Sequence, residues 1–272
     1  MKLLVVGDVH GSEIPLKIIE KHGASVDKIV CTGDYVDSRY NTWVQQKEVL
    51  SKLLELQQGK FKNKLTLLFG NHDISYLTGR RCSGHQTEYE DGIRLFFEAN
   101  YFAFDILFES KSYLVSHAGL TESWMLSPLG FDKNKKPLSV LNWKIEDVTK
   151  AFRNKQFEYF VHNSDSPTGN SVTEGCLWVR PFSLVQDAIL GYTQIVGHTE
   201  VGHADNHWGI QSRIFTKNDF VNLWRHKDCQ IKNGREAEDL KNKFIYVDSK
   251  EKNVFVIVDT DKENELLVSA LK

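Results

Sequence analysis

The chain has 272 residues, 41% of them hydrophobic and 26% charged, with a formal net charge of −2. That composition suits a globular protein with a large core and excludes a disordered chain. The near-neutral balance gives no support to non-specific nucleic-acid binding, and no apolar stretch approaches the ~20 residues that a membrane helix needs.

Residues 3–6 form a short apolar run of buried-strand type. Residues 12–22 carry Ile14, Leu16, Ile18 and Ile19 and read as a helix. A second strand is expected at 28–31. A second helix is expected at 43–56, with Val44, Val49, Leu50, Leu53, Leu54 and Leu56 on one broad face. A third strand follows at 65–69. Strands that alternate with helices predict right-handed βαβ units and a mainly parallel sheet.

The middle of the chain differs. Residues 88–100 look helical, and 102–108 and 112–115 read as two paired strands. A long aromatic-rich stretch, 139–162, has helical character, and 163–170 (NSDSPTGN) is a loop by composition. Strands return at 193–196, 244–247 and 253–258. No internal repeat or low-complexity linker divides the chain. A single domain over 1–272 is expected, with a helical insertion around 121–175 on a two-sheet core.

Cys31, Cys82, Cys176 and Cys229 are widely spaced and form no CxxC pair, so neither a disulfide framework nor a zinc ribbon is expected. Gly7 and Asp8 end the N-terminal apolar run too early for a signal-peptide core. Reduced thiols and a cytoplasmic location are the expectation.

One pattern recurs along the chain. Apolar strands end in a glycine or small residue, followed by side chains that bind metals. The ends read Gly7-Asp8-Val9-His10-Gly11, Gly33-Asp34-Tyr35-Val36-Asp37 and Gly70-Asn71-His72-Asp73, then Ser116-His117-Ala118-Gly119 and Val196-Gly197-His198-Thr199. In α/β sheets the carboxyl ends of parallel strands line the binding crevice, so these side chains are expected to meet. Carboxylate, carboxamide and imidazole donors without a thiolate suit ions such as manganese, iron or zinc. Two such ions polarise phosphoryl oxygens and acidify water. Any one of these motifs alone is equally well a capped turn, and a single histidine such as His117 is more often structural. Five in order, each after an apolar run, point to a shared site.

The motifs GDVHG, GDYVD, GNHD, SHAG and GHT together resemble the successive signatures of the calcineurin-like metallophosphoesterases, the bacterial and phage phosphoprotein phosphatases in particular. The resemblance runs from Met1 to about His198 and, more weakly, through the closing strands. It implies an α/β fold of two mixed β-sheets packed as a sandwich and flanked by helices. It also implies two divalent metal ions, manganese first, with iron or zinc as alternatives. By that resemblance Asp8 and His10 bind the first metal, Asp34 bridges both, and Asn71, His117 and His198 bind the second. His72 is the general acid, oriented by Asp37, and a metal-bridging hydroxide is the nucleophile.

The phosphate-binding residues depart from the family pattern. Where the family has Asp-Arg-Gly, this chain has Asp37-Ser38-Arg39-Tyr40, with the arginine one position late. Arg180, in Trp178-Val179-Arg180, matches the family's Trp-x-Arg segment. Arg180, Arg39 and Asn71 are therefore the expected phosphate contacts, and Arg80 and Arg81 in the unfamiliar TGRRCSGHQ segment are further candidates. His203 and His207 read as surface, and His85 as unassigned. Trp143, Phe152, Phe157, Tyr159 and Phe160 read as the core of the insertion. The charged run 132–136 reads as a solvated loop.

The expected function is hydrolysis of phosphoesters. A serine/threonine protein phosphatase-like phosphomonoesterase leads, acting on a phosphoprotein or a small phosphoester. A dinucleoside polyphosphate hydrolase and a phosphodiesterase are the enzymatic alternatives. An inactive scaffold is the non-enzymatic one, and the intact ligand set argues against it. No membrane or nucleic-acid partner is indicated.

Overall fold

The computed structural model describes residues 1–132, 134, 136–162, 169–199, 222–225, 243–248, 254–261 and 266–270. The first third alternates strand and helix as the periodicity predicts. β1 is Lys2–Val6, α1 Ile14–His22, β2 Lys28–Cys31, α2 Trp43–Gln58, β3 Leu65–Leu68 and α3 Asn71–Thr78. There follow α4 at Glu90–Asn100, β4 at Phe104–Asp105, β5 at Leu107–Ser110 and β6 at Tyr113–Ser116. The later elements are α5 (Glu122–Leu126), α6 (Ile145–Arg153), α7 (Pro181–Asp187), β7 (Thr193–Val196), β8 (Asn222–Arg225), β9 (Lys243–Tyr246), β10 (Val254–Asp259) and β11 (Leu266–Ala270).

The strands form two mixed sheets, ordered β11-β10-β1-β2-β3-β4 and β5-β6-β7-β9-β8. Strands β1 to β4 run parallel, as do β6, β7 and β9, while β5, β8, β10 and β11 pair antiparallel. The expectation of a mainly parallel sheet thus holds for the inner strands only. Alternation along β1 explains the layers. Leu3 and Val5 point into a core shared with Val115, Ile195, Ile245 and Val256 of the other strands. Leu4 and Val6 point the opposite way, among Ile18, Ile19, Leu50 and Leu53 of α1 and α2. A third cluster joins Val196, Phe244 and Tyr246 of the second sheet to Leu184 of α7. The result is helix, sheet, sheet, helix.

The structure corrects two expectations. The single strand at 102–108 is two strands in different sheets. Phe104 and Asp105 pair with Leu67 and Leu68, whereas Leu107 to Ser110 pair with β6. The chain crosses between sheets at the buried Ile106. Both halves bury their apolar side chains, so the pattern reports burial and not the partner. The helical stretch at 139–162 is helical over Ile145–Arg153, with a single 3-10 turn at Phe157–Tyr159. Asn142 has φ 48°, and Trp143 N donates to Met125 O at 2.7 Å. Its aromatics serve tertiary packing instead: Trp143 meets Trp124 edge-on at 5.7 Å, and Phe152 and Phe160 are buried. Six residues of the 163–170 loop, together with His203, His207 and Cys229, lie outside the described residues.

Candidate metal and catalytic centre

The strand ends meet as the motifs require. Asp8 and His10 follow β1, Asp34 and Asp37 follow β2, Asn71 and His72 open α3 after β3, His117 follows β6 and His198 follows β7. Four of these residues hold a left-handed backbone: His10 (φ 41°), Asp34 (51°), Asp37 (61°) and His198 (60°). Such conformations cost of order 1–3 kcal/mol each and persist where the surroundings over-determine them. Close packing does so here. A Cβ on Gly70 would lie 2.0 Å from Asp34 Oδ1, and one on Gly197 would lie 2.1 Å from Asp8 Oδ1. Only glycine lets the neighbouring turns approach these carboxylates.

The chemistry of the donors is specific. His117 Nδ1 donates to Thr32 O at 2.9 Å, so the neutral ring carries its lone pair on Nε2. That Nε2 stands 2.8 Å from Asn71 Oδ1, 3.2 Å from His198 Nδ1 and 3.4 Å from Asp34 Oδ2. His198 Nε2 faces Trp178 O at 3.2 Å, which leaves its Nδ1 lone pair 2.9 Å from Asn71 Oδ1. Lone pairs therefore converge with no proton between them, an arrangement suited to a cation. Burial pushes His117 down and His198 well down from the usual histidine pKa, which keeps both rings neutral and able to ligate.

Asp34 belongs to this group and to a second one with His10 and His72. His10 Nδ1 bonds Val36 O at 2.7 Å, which orients Nε2 at 3.7 Å from Asp34 Oδ2. Asp8 accepts from Thr32 Oγ1 and from His198 N, each at 2.9 Å. Burial, then the charges of Asp248 and Asp34, push the Asp8 carboxyl well up. Burial acts the same way on Asp34, but His117, His72 and His10 outweigh it and hold that carboxyl down. The residues present thus fit two divalent ions that share Asp34.

His72 Nδ1 pairs with Asp37 Oδ2 at 2.8 Å. Burial opposes charge on His72, but the Asp34 carboxylate and the Asp37 hydrogen bond outweigh it and hold its pKa well above the histidine norm. Arg180 Nη1 donates to His198 O at 3.0 Å and to Thr199 Oγ1 at 3.2 Å. Arg39 is exposed and lies at the cleft wall. Arg80 and Arg81 line the same cleft. Arg80 reaches His162 O at 3.4 Å, and Arg81 is paired with Glu90 at 2.9 Å. The cleft holds about 1270 Å³. His85 is stacked on Tyr76 with ring centroids 4.3 Å apart.

Three supporting residues were not assigned from sequence. Asp73 accepts from Gly70 N, Asp34 N and Tyr35 N, each at 2.8 Å. An acidic residue three positions after the cap is a helix-start signal, and it was readable in GNHD. Tyr76 donates to Asp37 Oδ1. Asp248 lines the cleft just beyond β9, and the strand-end pattern in Tyr246-Val247-Asp248 marks it.

Residues 1–202 match the family described as calcineurin-like phosphoesterase. No curated protein sequence matches the chain significantly. Among solved structures, a cold-active protein-tyrosine phosphatase of the psychrophile Shewanella sp. aligns with TM-score 0.55 at 16% identity, covering 98% of this chain and 77% of that one. A protein serine/threonine phosphatase from Saccharomyces cerevisiae, similar to human phosphatase PP5, aligns with TM-score 0.49 at 16% identity, covering 99% and 79%.

Proposed function

The chain belongs to the calcineurin-like phosphoesterases and is a metal-dependent phosphatase, and on that premise we propose that it hydrolyses alkyl phosphomonoesters of the phosphoserine and phosphothreonine type. The observation that carries this reading is the 2.8 Å pair between His72 and Asp37. An alkoxide is a poor leaving group and needs a proton as the bond breaks. A phosphoanhydride departs as a stable anion and needs one far less, so the pair favours alkyl esters over dinucleoside polyphosphates. Asp37 holds Nδ1, which leaves Nε2 to carry the transferred proton.

Asp8 and His10 would hold one divalent ion, Asn71, His117 and His198 the other, and Asp34 both. Bound ions would neutralise phosphoryl oxygens and acidify water at the site. Oxygen and nitrogen donors suit manganese, with iron or zinc as alternatives. Arg180 grips the phosphate through its planar fork, with Arg39 in a lesser part and the Asn71 carboxamide close by. No described helix is long and apolar enough to cross a membrane. Cys31, Cys82 and Cys176 are unpaired thiols, and we place the protein in the cytoplasm on that basis.

The test is a substrate panel with manganese-loaded protein: a phosphopeptide, an alkyl phosphate, an aryl phosphate, a dinucleoside polyphosphate and a cyclic nucleotide. Highest kcat/KM on the phosphopeptide supports the proposal. Highest kcat/KM on the dinucleotide or the cyclic diester overturns it.

A further inference from the structure

We propose that Cys82, His72 and Asp37 form a separate site for one soft divalent cation of the zinc class, set in the wall of the catalytic cleft. Three ligand atoms converge there. Asp37 Oδ2 lies 2.8 Å from His72 Nδ1, and Cys82 Sγ lies 3.3 Å from that nitrogen and 3.7 Å from that oxygen. Tetrahedral zinc, with bonds of about 2.0–2.3 Å, separates its ligand atoms by roughly 3.4–3.6 Å. The two sulfur separations agree with that to within about 0.3 Å. The third opens by roughly 0.6 Å as a shared ion replaces a hydrogen bond. All three residues line the cleft, which gives the ion an entry path and a water for the fourth position.

The donor set separates this site from the hydrolytic centre. Asp8, His10, Asp34, Asn71, His117 and His198 offer only oxygen and nitrogen. Cys82 adds a thiolate, which selects soft metals over manganese or magnesium. Cys31 and Cys176 are fully buried in the core and belong to none of the metal-capable groups found among the described residues.

The thiol is also held in place. Cys82 opens a turn in which His85 N donates to Cys82 O at 3.3 Å. Gln86 fastens the far side: its N donates to Tyr76 Oη at 2.9 Å, its Nε2 donates to Ser38 O at 3.0 Å, and its Oε1 accepts from Gln46 Nε2 at 3.0 Å. Tyr76 donates in turn to Asp37. One hydroxyl thus ties the cysteine loop to the carboxylate that both sites use.

Binding releases two protons to water, one from the Cys82 thiol and one from His72 Nδ1. Asp37 keeps its charge and changes from hydrogen-bond acceptor to ligand. The thiolate and the carboxylate balance the two positive charges of the ion. The consequence for turnover rests on the role proposed above for His72. Pinned through Nδ1, the imidazole loses its orienting carboxylate, and hydrolysis of alkyl phosphates falls more than hydrolysis of aryl phosphates.

Cobalt is the probe. Full-length protein, already loaded with manganese, is titrated with Co²⁺. One equivalent is expected to raise a near-ultraviolet thiolate-to-cobalt charge-transfer band, and Cys82→Ser is expected to lack it. Cobalt that displaces manganese at the oxygen and nitrogen centre gives no such band. Cys82→Asp, which keeps an anionic ligand, should bind the extra equivalent without the band. The proposal is overturned if the parent shows no band, or if Cys82→Ser shows one of equal strength. A band in a protein that hydrolyses no phosphoester would leave this site standing and sink the functional reading alone. In an active preparation, zinc should inhibit alkyl phosphate turnover at a concentration about tenfold or more below that needed for Cys82→Ser. Equal sensitivity in the two would overturn the regulatory consequence.

Discussion

The Asp73 carboxylate holds the backbone of Asp34: its Oδ2 accepts from Asp34 N at 2.8 Å, and its Oδ1 accepts from Tyr35 N at the same distance. The same Oδ2 accepts from Gly70 N at 2.8 Å. One buried side chain therefore joins the turn after β2 to the turn after β3, and fixes a φ of 51° at the residue shared by both metal groups.

Asp73→Asn should therefore destabilise the fold. Its carboxamide supplies one acceptor oxygen where two now serve three N–H donors, and its NH₂ would face a donor. Leaving a buried N–H donor unsatisfied costs roughly 1–3 kcal/mol, and a loss of that size is expected. Denaturant unfolding of the metal-free proteins measures it. A loss under about 0.5 kcal/mol would show that the clamp is dispensable.

Asp34→Asn should lower both metal content and activity, because Asp34 is common to two convergent groups. Removing a residue that merely supports a ligand costs about 10–100-fold, so losing a shared ligand should exceed that. Elemental analysis and aryl phosphate hydrolysis read the two effects together. Full metal content with normal turnover would refute the ligand assignment.

The sites were more legible than the scaffold around them. Strand ends carry their chemistry in contiguous motifs, so Asp8, Asp34, Asn71, His117 and His198 could be read in order. The alternation of β1, α1, β2, α2 and β3 places Asp8, Asp34 and Asn71 at one end of the first sheet, whereas His117 and His198 come from the ends of β6 and β7 in the second. The change of sheet at Ile106 was not legible, because Phe104 and Leu107 are apolar on both sides of it. The irregular runs on either side of α6 were also hidden, because Trp143 before it and Tyr159 after it are aromatic for packing reasons and not for helical ones. Cys82 lies ten residues from His72 in a loop with no motif, and only the fold brings the two to 3.3 Å.

Divalent metal should stabilise the protein, and more so as pH rises. Burial, Asp248 and Asp34 push the Asp8 carboxyl well up. In the metal-free protein this group keeps its proton to a higher pH than in the unfolded chain. Stability on that account is fully present below the unfolded carboxyl pKa and is lost as pH rises through the raised folded value. A bound cation replaces that proton and removes the loss. At a concentration 100-fold above Kd, manganese should add about 2.7 kcal/mol. Thermal melts with and without manganese across pH 5 to 8 test the trend. A metal-induced shift that shrinks with rising pH would contradict it.

His72→Ala should slow alkyl phosphate hydrolysis by about 10²–10⁴-fold, the range for a positioned general acid. An aryl phosphate with a good leaving group should lose far less. Asp37→Asn should follow the same order with smaller losses, because it acts through Nδ1 of His72. Paired kcat/KM values on the two esters decide the matter. Equal losses on both would leave His72 as a phosphate contact or a structural residue.

The two candidate phosphate arginines differ in how they are held. Arg180 is anchored by the His198 carbonyl and the Thr199 hydroxyl, beside the ligand cluster itself. Its planar guanidinium carries five N–H donors in a fork that matches the oxygens of an oxyanion. Arg39 is exposed on the cleft wall and stands one residue late in the turn relative to the family pattern. An exposed charge of that kind contributes about 1 kcal/mol or less. A held charge-assisted hydrogen bond contributes roughly 1.5–3 kcal/mol, which corresponds to about ten- to a hundredfold in kcat/KM. Arg180→Ala should lose activity in that range, and Arg39→Ala less. Metal content is measured on both variants, because Arg180 touches a ligand residue and a change in loading would imitate a change in grip. If Arg39→Ala is the more impaired at equal loading, the turn has re-aimed its arginine at the phosphate and the ranking is reversed. If neither is impaired, the grip passes to Arg80 and Arg81, which line the same cleft.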